Sequence, residues 1–139
     1  MVKLFLDANV LLDFLLQREG YNNAKSLVEN ILGGAYAAYT TSSVIHIVAY
    51  WLEKYYSRDE TKRLLLSLLQ FITIIDTTHT QIVKAVQSDM EDVEDAILYY
   101  TAIANGMDYF ITNDKELIRH TSSLLPIYLP SKFLKESGS

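Results

Sequence analysis

Four aspartates are the residues of this chain whose type and spacing could do chemistry. Asp7 directly follows an apolar run near the N-terminus, Asp92 and Asp95 lie three residues apart, and Asp114 follows another apolar run. Carboxylates that converge in a partly dry cleft repel one another unless protons or cations offset their charge. Oxygen ligands, with neither cysteine nor a paired-histidine motif, favour Mg²⁺ or Mn²⁺, ions that activate water and stabilise charge on a phosphoryl group. The sequence therefore indicates metal-assisted phosphoryl chemistry.

Charge is distributed unevenly along the chain. The net charge is −5, from 12 basic and 17 acidic residues, which argues against a constitutively basic nucleic-acid binder. Between Lys84 and Lys115 there is no lysine or arginine, and seven acidic residues give this stretch a net charge of −7, which leaves +2 for the remainder. The acidic stretch has two interpretations, a solvated helix start or a site for a hard divalent cation.

The hydrophobic pattern predicts elements that would bring these carboxylates together. Strands are predicted at 2–6, 35–41, 71–75, 109–112 and 127–129. Helices are predicted at 9–16, at 22–32, after Ser42 or Ser43, after Asp59 as N-cap, at 80–87, at 93–105 and after Pro130. Strands that alternate with helices and are apolar on both faces predict an α/β fold with a parallel sheet covered on both sides. Ligand sites in such sheets lie beyond the C-terminal strand ends, where Asp7 and Asp114 are expected.

Each carboxylate also has a purely structural interpretation. Asp7 and Asp92 are suited to cap the helices that follow them, and Asp114 is suited to a turn. Asp95 lies within a predicted helix, where aspartate is a poor helix former, and this favours a role in a site. Asp13, one to two turns into the first helix, is expected to be a solvated side chain rather than a ligand.

Length and composition restrict the remaining possibilities. The 139 residues are predicted to form one domain over 1–135, followed by a disordered tail at 136–139. The chain has no cysteine, which excludes disulfides, a thiolate zinc site and a cysteine nucleophile, and which fits a reducing cytoplasm. No uninterrupted apolar run reaches the ~18 residues of a membrane helix, and the N-terminus is not expected to be a signal peptide.

Three stretches carry a resemblance to a known family. They are L-F-L-D-A-N-V-L-L-D at 4–13, D-V-E-D-A-I-L-Y-Y-T-A-I-A-N-G-M-D-Y-F-I-T-N-D at 92–114, and L-P-I-Y-L-P-S-K-F-L at 125–134. With this spacing the chain resembles the PIN-domain family of metal-dependent ribonucleases, in its small single-domain, VapC-like bacterial type, over nearly its whole length. The resemblance implies a PIN-like three-layer α/β/α fold with a central parallel sheet of four to five strands.

The resemblance also implies an activity, partners and roles for single residues. The expected function is that of a metal-dependent endoribonuclease that hydrolyses RNA phosphodiesters with Mg²⁺ or Mn²⁺. Many small members are toxins of bacterial toxin–antitoxin pairs and are usually dimers, so a cognate antitoxin protein and a homodimer are implied partners. The implied catalytic and metal-binding residues are Asp7, Asp95 and Asp114, with Asn9 and Thr112 as supporting residues that orient these carboxylates. Beyond the resemblance, we predict Asp92 as a further metal ligand and Asn113 and His46 as further supporting residues.

The sequence departs from the family in the helix after the second strand. That helix usually carries a glutamate several residues beyond the serine, whereas the stretch 42–53 has His46 near that position and Glu53 about two turns further on. His46 is either a polar substitute or a structural residue, and Asp92 or Glu94 could supply another oxygen ligand. This departure favours an alternative function, a catalytically weakened PIN-like module that binds RNA or protein.

Contacts to RNA would have to come from the mildly basic remainder of the chain. Tyr55 and Tyr56 are the tyrosines best placed to stack on bases, although core packing is an alternative for every tyrosine. A phosphotransfer domain with Asp7 as acceptor is a further alternative, but it gives the D-x-x-D-A motif no role. The candidate RNA-binding residues, whose other interpretation is surface solubility, are Arg18, Lys54, Arg58, Lys62 and Arg63.

Overall fold

The computed structural model describes residues 1–137 of the chain. Every element predicted from the hydrophobic pattern is present, with bounds that differ by at most two residues. The elements in chain order are β1 (Lys3–Leu6), α1 (Ala8–Leu15), α2 (Tyr21–Leu32), β2 (Ala37–Thr41), α3 (Ser42–Tyr55), α4 (Arg58–Leu69), β3 (Ile72–Ile75), α5 (His79–Gln87), α6 (Val93–Ala104), β4 (Tyr109–Ile111), α7 (Lys115–Ile118), β5 (Ile127–Tyr128) and α8 (Pro130–Glu136).

All five strands form one parallel sheet in the order β3-β2-β1-β4-β5. The chain moves outward from β1 to β2 and β3, then returns across β1 to β4 and continues to β5. The strand order therefore reverses between β1 and β4, and a crevice opens at such a switch point, beyond the carboxyl ends of the strands. Asp7 follows β1 and Thr112 follows β4, so both residues lie at this crevice.

Helices cover both faces of the sheet and complete the three α/β/α layers. On one face α1 packs against α2 and α3, α3 packs against α4, and α2 packs against α8. On the other face α5 packs against α6. Right-handed crossovers explain this division, because a connection that steps in one direction along the sheet and a connection that returns fall on opposite faces.

The central strand is completely buried, and this fixes the position of Asp7. Leu4, Phe5 and Leu6 have no exposed surface, and the ring of Phe5 stacks on that of Phe110 in β4 at 4.7 Å between centroids. A strand that is apolar on both faces and paired on both edges cannot shift its register without losing these contacts.

Two helices begin earlier than predicted because better caps precede them. Thr41, not Ser42 or Ser43, caps α3, since its Oγ1 accepts a hydrogen bond from Val44 N at 3.3 Å. Ser57, not Asp59, caps α4 by accepting from Glu60 N at 3.1 Å. Asp59 then lies in the first turn, where its charge is favourable at the helix N-terminus.

The C-terminal end differs from the predicted tail, and one short helix was not predicted. Glu136 is the last residue of α8 rather than the first residue of a disordered tail, and residues 138–139 lie outside the described part. Helix α7 has only four residues, too few for a hydrophobic period to show. Among residues 1–137 no helix is both long enough and apolar enough to cross a membrane.

Candidate active site

Asp7 is buried at the end of β1 and bonds to two elements at once. Its Oδ1 accepts from Ala8 N at 2.8 Å and so caps α1, while its Oδ2 accepts from Thr112 Oγ1 at 2.8 Å. Burial raises the pKa of Asp7, the two hydrogen bonds lower it, and the charges of Asp114 and Glu94 raise it further, with a net upward direction. The capping interpretation is therefore correct, but it leaves open a role in a site, because the carboxylate also lies at the switch point.

Thr112 links the two carboxylates that follow β1 and β4. It is fully buried, donates its hydroxyl to Asp7, and accepts from Asp114 N at 3.1 Å. Asp114 in turn caps α7 by accepting from Glu116 N at 2.9 Å. One hydroxyl thus sets the backbone that carries Asp114 relative to the Asp7 side chain.

Asp92 and Asp95 enter from the N-terminus of α6. Asp92 caps this helix by accepting from Asp95 N at 3.1 Å, as its structural interpretation predicts. Burial, followed by the charges of Asp92, Asp7, Asp114 and Glu94, raises the pKa of Asp95 to about 7. The other three predicted aspartates and Glu94 therefore lie close enough to Asp95 for their negative charges to raise its pKa.

A pocket of about 250 Å³ opens beside these carboxylates. It adds two groups that the sequence analysis missed, Arg119 and His120, because α7 was not predicted and nothing in the sequence marked its C-terminal end. The Arg119 guanidinium pairs with Glu116 at 2.8 Å. The lining residues are Met90, Glu91, Asp92, Asp95, Asp114, Glu116, Leu117, Arg119 and His120.

The donor set fits a hard divalent ion that keeps much of its own water. All candidate ligands are carboxylate oxygens, and the pKa values of Asp7 and Asp95 are raised first by burial and then by the neighbouring carboxylates, so a bound cation would stabilise their charged forms. Within residues 1–137, no three His, Asp or Glu side chains lie close enough together to hold an ion among them. Mg²⁺ commonly binds through one or two carboxylates plus waters and substrate phosphate, and this donor set suits that mode.

Helix α3, in which the resemblance predicts a further glutamate, adds no carboxylate to this set. His46 and Glu53 are both exposed on α3. The charges that act on Asp7 and Asp95 include that of Glu94, which lies in the first turn of α6. Beyond the four aspartates, Glu94 is thus the residue that adds a negative charge to the set.

Two of the predicted supporting residues, Asn9 and Asn113, are hydrogen-bonded to each other, and the prediction of a solvated Asp13 is wrong. Asn113 N donates to Asn9 Oδ1 at 3.0 Å, which ties the segment after β4 to α1. Asp13 was expected to be solvated but is 8% exposed, because Arg18 Nε pairs with its Oδ1 at 2.9 Å.

The candidate RNA-binding residues lie in different surroundings. Arg18 pairs with Asp13, and Arg63 pairs with Glu60 at 2.5 Å. The Lys54 amine lies over the Tyr50 ring, 4.6 Å from its centroid. Arg58 and Lys62 are exposed on α4.

Fold and site together define a class of α/β protein in which carboxylates gather at the switch point of a 3-2-1-4-5 parallel sheet. A family model described as PIN domain matches residues 3–116, and the chain belongs to the PIN-domain family. None of the curated proteins matches this sequence.

Three solved structures share the fold. VapBC2 from Rickettsia felis, bound to a DNA fragment from its promoter, is 18% identical with a TM-score of 0.63, over 92% of this chain and 98% of that one. A toxin–antitoxin complex from Klebsiella pneumoniae is 20% identical with a TM-score of 0.68, over 91% and 96%. PAE2754 from Pyrobaculum aerophilum is 17% identical with a TM-score of 0.65, over 99% and 91%. At sequence identities this low, the similarity to these three structures is a similarity of fold alone.

Replacing Thr112 with valine is expected to destabilise the protein by about 1–3 kcal/mol, because the buried Asp7 carboxylate and the Asp114 amide each lose a partner. The free energy of unfolding in urea measures this loss, and Thr112→Ser should restore most of it. Thr61→Val is the matched control. Thr61 is 2% exposed, and its Oγ1 has no hydrogen-bond partner within residues 1–137, so its replacement should be neutral or stabilising. Equal losses in both valine variants would contradict the linking role of Thr112.

Proposed function

We propose that this protein is a metal-dependent endoribonuclease that hydrolyses RNA phosphodiesters. The observation that carries the proposal is the set of Asp7, Asp95 and Asp114 at the sheet's switch point, two of them with raised pKa values. Helix capping explains an individual aspartate at a helix N-terminus. It does not explain why several carboxylates lie close together despite their mutual repulsion. Membership of the PIN-domain family agrees with this reaction class.

Different residues of the chain would bind the metal ion and the phosphate in such a reaction. Asp7 is held rigidly by Ala8 and Thr112, and Asp95 and Asp114 reach the open pocket. One or two of these three would bind Mg²⁺ or Mn²⁺ directly, and the others, with Asp92 beside them, would bind it through its waters. The bound ion would activate water and offset the charge of the phosphate. Arg119 and His120 line the same pocket and would contact phosphate oxygens, which an acidic pocket alone would repel.

A toxin of a toxin–antitoxin pair is the biological role that we propose for this activity. The K. pneumoniae structure that shares the fold is a toxin–antitoxin complex, and the R. felis structure is VapBC2 bound to DNA of its promoter. The proposed partners are RNA, a cognate antitoxin protein and a second copy of the chain, and the proposed compartment is the cytoplasm. RNA on either side of the cleaved bond would contact the basic residues Arg18, Lys54, Arg58, Lys62 and Arg63.

The test is cleavage of end-labelled single-stranded RNA by the purified protein in Mn²⁺ or Mg²⁺. We expect cleavage that EDTA abolishes and that Asp108→Asn leaves unchanged. Asp108 is the control for a lost carboxylate, since it is exposed, accepts from Lys3 N and precedes β4, at the opposite end of that strand from the pocket. Cleavage that persists in EDTA would overturn the proposal, and so would silence on varied RNAs with both metals while the protein stays folded.

A catalytically weakened module that binds RNA or protein is the second candidate. It is favoured by the exposed His46 near the position where the family usually has a glutamate, and by the lack of a three-ligand cluster among residues 1–137. This candidate predicts that the wild-type protein binds RNA or a partner without cleavage and that Asp7→Asn leaves this binding unchanged. Titration with labelled RNA in Mn²⁺, followed for both binding and cleavage in the two proteins, separates it from the nuclease.

A further inference from the structure

Asp13 is a buried carboxylate that the proposed reaction leaves without a role. It is 8% exposed, its Oδ1 pairs with Arg18 Nε at 2.9 Å, and its Oδ2 accepts from Asn113 Nδ2. Burial of a charge is costly unless it is paired and hydrogen-bonded, and here both oxygens have donors. The position of this side chain is therefore closely defined, although it lies outside the acidic pocket.

The partners of Asp13 close a ring between α1 and the segment after β4. Asn113 is held at two points, by Asp13 through its side chain and by Asn9 Oδ1 through its backbone N–H at 3.0 Å. Arg18 Nη2 donates to the backbone oxygen of Asn9 at 3.2 Å and so completes the ring. The side chains of Asp13, Asn9 and Arg18 thus fix one residue of that segment.

The residue fixed in this way lies between two groups that the site needs. Thr112 precedes Asn113 and donates to Asp7, and Asp114 follows it and faces the pocket. A shift of Asn113 would therefore move the Thr112 hydroxyl and the Asp114 carboxylate together.

The Asp13 carboxylate lies directly against Gly20, in the space that a side chain at position 20 would occupy. A Cβ at this position would lie 3.0 Å from Asp13 Cγ and closer still to Oδ2. Any side chain at position 20 must therefore displace a carboxylate that two donors hold. The absence of a side chain at this turn is explained by the approach of Asp13.

We propose that Asp13 is a positioning residue of the active site, which, together with Arg18, fixes Asn113 and through it the relative placement of Asp7 and Asp114. This rests on the proposed function, because it concerns the groups that would hold the metal. Arg18 then has a structural duty in addition to any contact with RNA. Residues that orient metal ligands from behind commonly change metal affinity or activity about 10- to 100-fold when replaced.

Asp13→Asn is the first variant of the test. The Asp13 carboxylate accepts one hydrogen bond from Arg18 and one from Asn113. An asparagine side chain has only one acceptor oxygen, so its NH₂ group would face one of these two donors and that hydrogen bond would be lost. The double variant Asp13→Asn with Asn113→Asp restores the hydrogen bond between positions 13 and 113, because the carboxylate at position 113 accepts from the amide at position 13. The net charge of the chain is the same as in the wild type. Gly20→Ala should act like Asp13→Asn by displacing the carboxylate, and Asp108→Asn is the control for a lost charge.

Two measurements decide the proposal, Mn²⁺ affinity by spin-resonance titration and hydrogen exchange of the amide of residue 113. Asp13→Asn and Gly20→Ala should weaken Mn²⁺ binding about 10- to 100-fold and speed exchange at this amide. The double variant should recover most of both, and kcat for RNA should fall in the single variants with little change in KM.

Mn²⁺ affinity that falls no further in Asp13→Asn than in Asp108→Asn would overturn the proposal, even if the Tm falls. Failure of the double variant to recover either property would also overturn it. Failure of the proposed function shows elsewhere, in a wild-type protein that neither binds Mn²⁺ nor cleaves RNA, whereas failure of the present proposal shows only in the variants.

Discussion

Asp7→Asn should lower the rate of RNA cleavage about 10³-fold while the Tm of the metal-free protein rises. A metal ligand contributes several kcal/mol of transition-state stabilisation, and each ~1.4 kcal/mol is a factor of ten in rate. The Tm rises because burial gives the Asp7 carboxyl a raised pKa, so its charged form destabilises the fold at neutral pH. Asparagine removes this charge, still caps α1 through its amide oxygen, and can donate to Thr112 Oγ1.

Single-turnover cleavage with Mn²⁺ and thermal unfolding in EDTA measure the two effects on the same preparations. Asp108→Asn is the control, since it removes an exposed carboxylate and should change neither quantity much. Full activity in Asp7→Asn would locate the chemistry elsewhere. A lower Tm would show that the ionised Asp7 stabilises the fold, contrary to the direction of its pKa.

Metal affinity should rise with pH through neutrality because of Asp95. Its pKa is about 7 in the metal-free protein, and a carboxyl must lose its proton before it can bind the ion. The ionised fraction grows about tenfold between pH 6 and pH 8, so Kd for Mn²⁺ should tighten about tenfold over this range. In Asp95→Asn the affinity should be weak and should lose most of this dependence.

Stability of the metal-free protein should show the opposite dependence on pH. Asp95 binds a proton more tightly when folded than when unfolded, since its pKa rises from 3.8 to about 7. The contribution of this group to stability is full below pH 3.8 and is lost as pH rises through 7. Asp95→Asn should remove this decline, and saturating Mn²⁺ should reduce it.

Urea unfolding in EDTA at several pH values measures that dependence, and calorimetric titration with Mn²⁺ measures the affinity and the proton released. Asp92→Asn helps to assign the effect, because Asp92 raises the pKa of Asp95 and its removal should shift the midpoint to lower pH. Identical curves for wild type and Asp95→Asn would show that another group titrates near neutrality.

The sheet and the clustering of most carboxylates of the candidate site could be predicted from the sequence, because both depend on local patterns. Strands buried on both faces read as apolar runs, and an aspartate directly after such a run must lie at the strand's carboxyl end. The burial of Asp13 could not be predicted in this way. It depends on Arg18, five residues along, and on Asn113, a hundred residues along, and no period in the sequence connects them. Arg119 and His120 were missed because they follow a helix of only four residues.

Three of the four aspartates begin helices, Asp7 for α1, Asp92 for α6 and Asp114 for α7. Loss of an N-cap typically costs about 1 kcal/mol, and asparagine caps a helix as well as aspartate does. Natural drift in a lineage that no longer needed catalysis would therefore keep these positions polar, and the substitution that it would tolerate most easily is aspartate to asparagine. Among descendants of this protein, asparagine at position 7 is therefore the change expected to accompany loss of the proposed activity, whereas retention of a helix-starting residue would by itself indicate only a fold that still has to be stable.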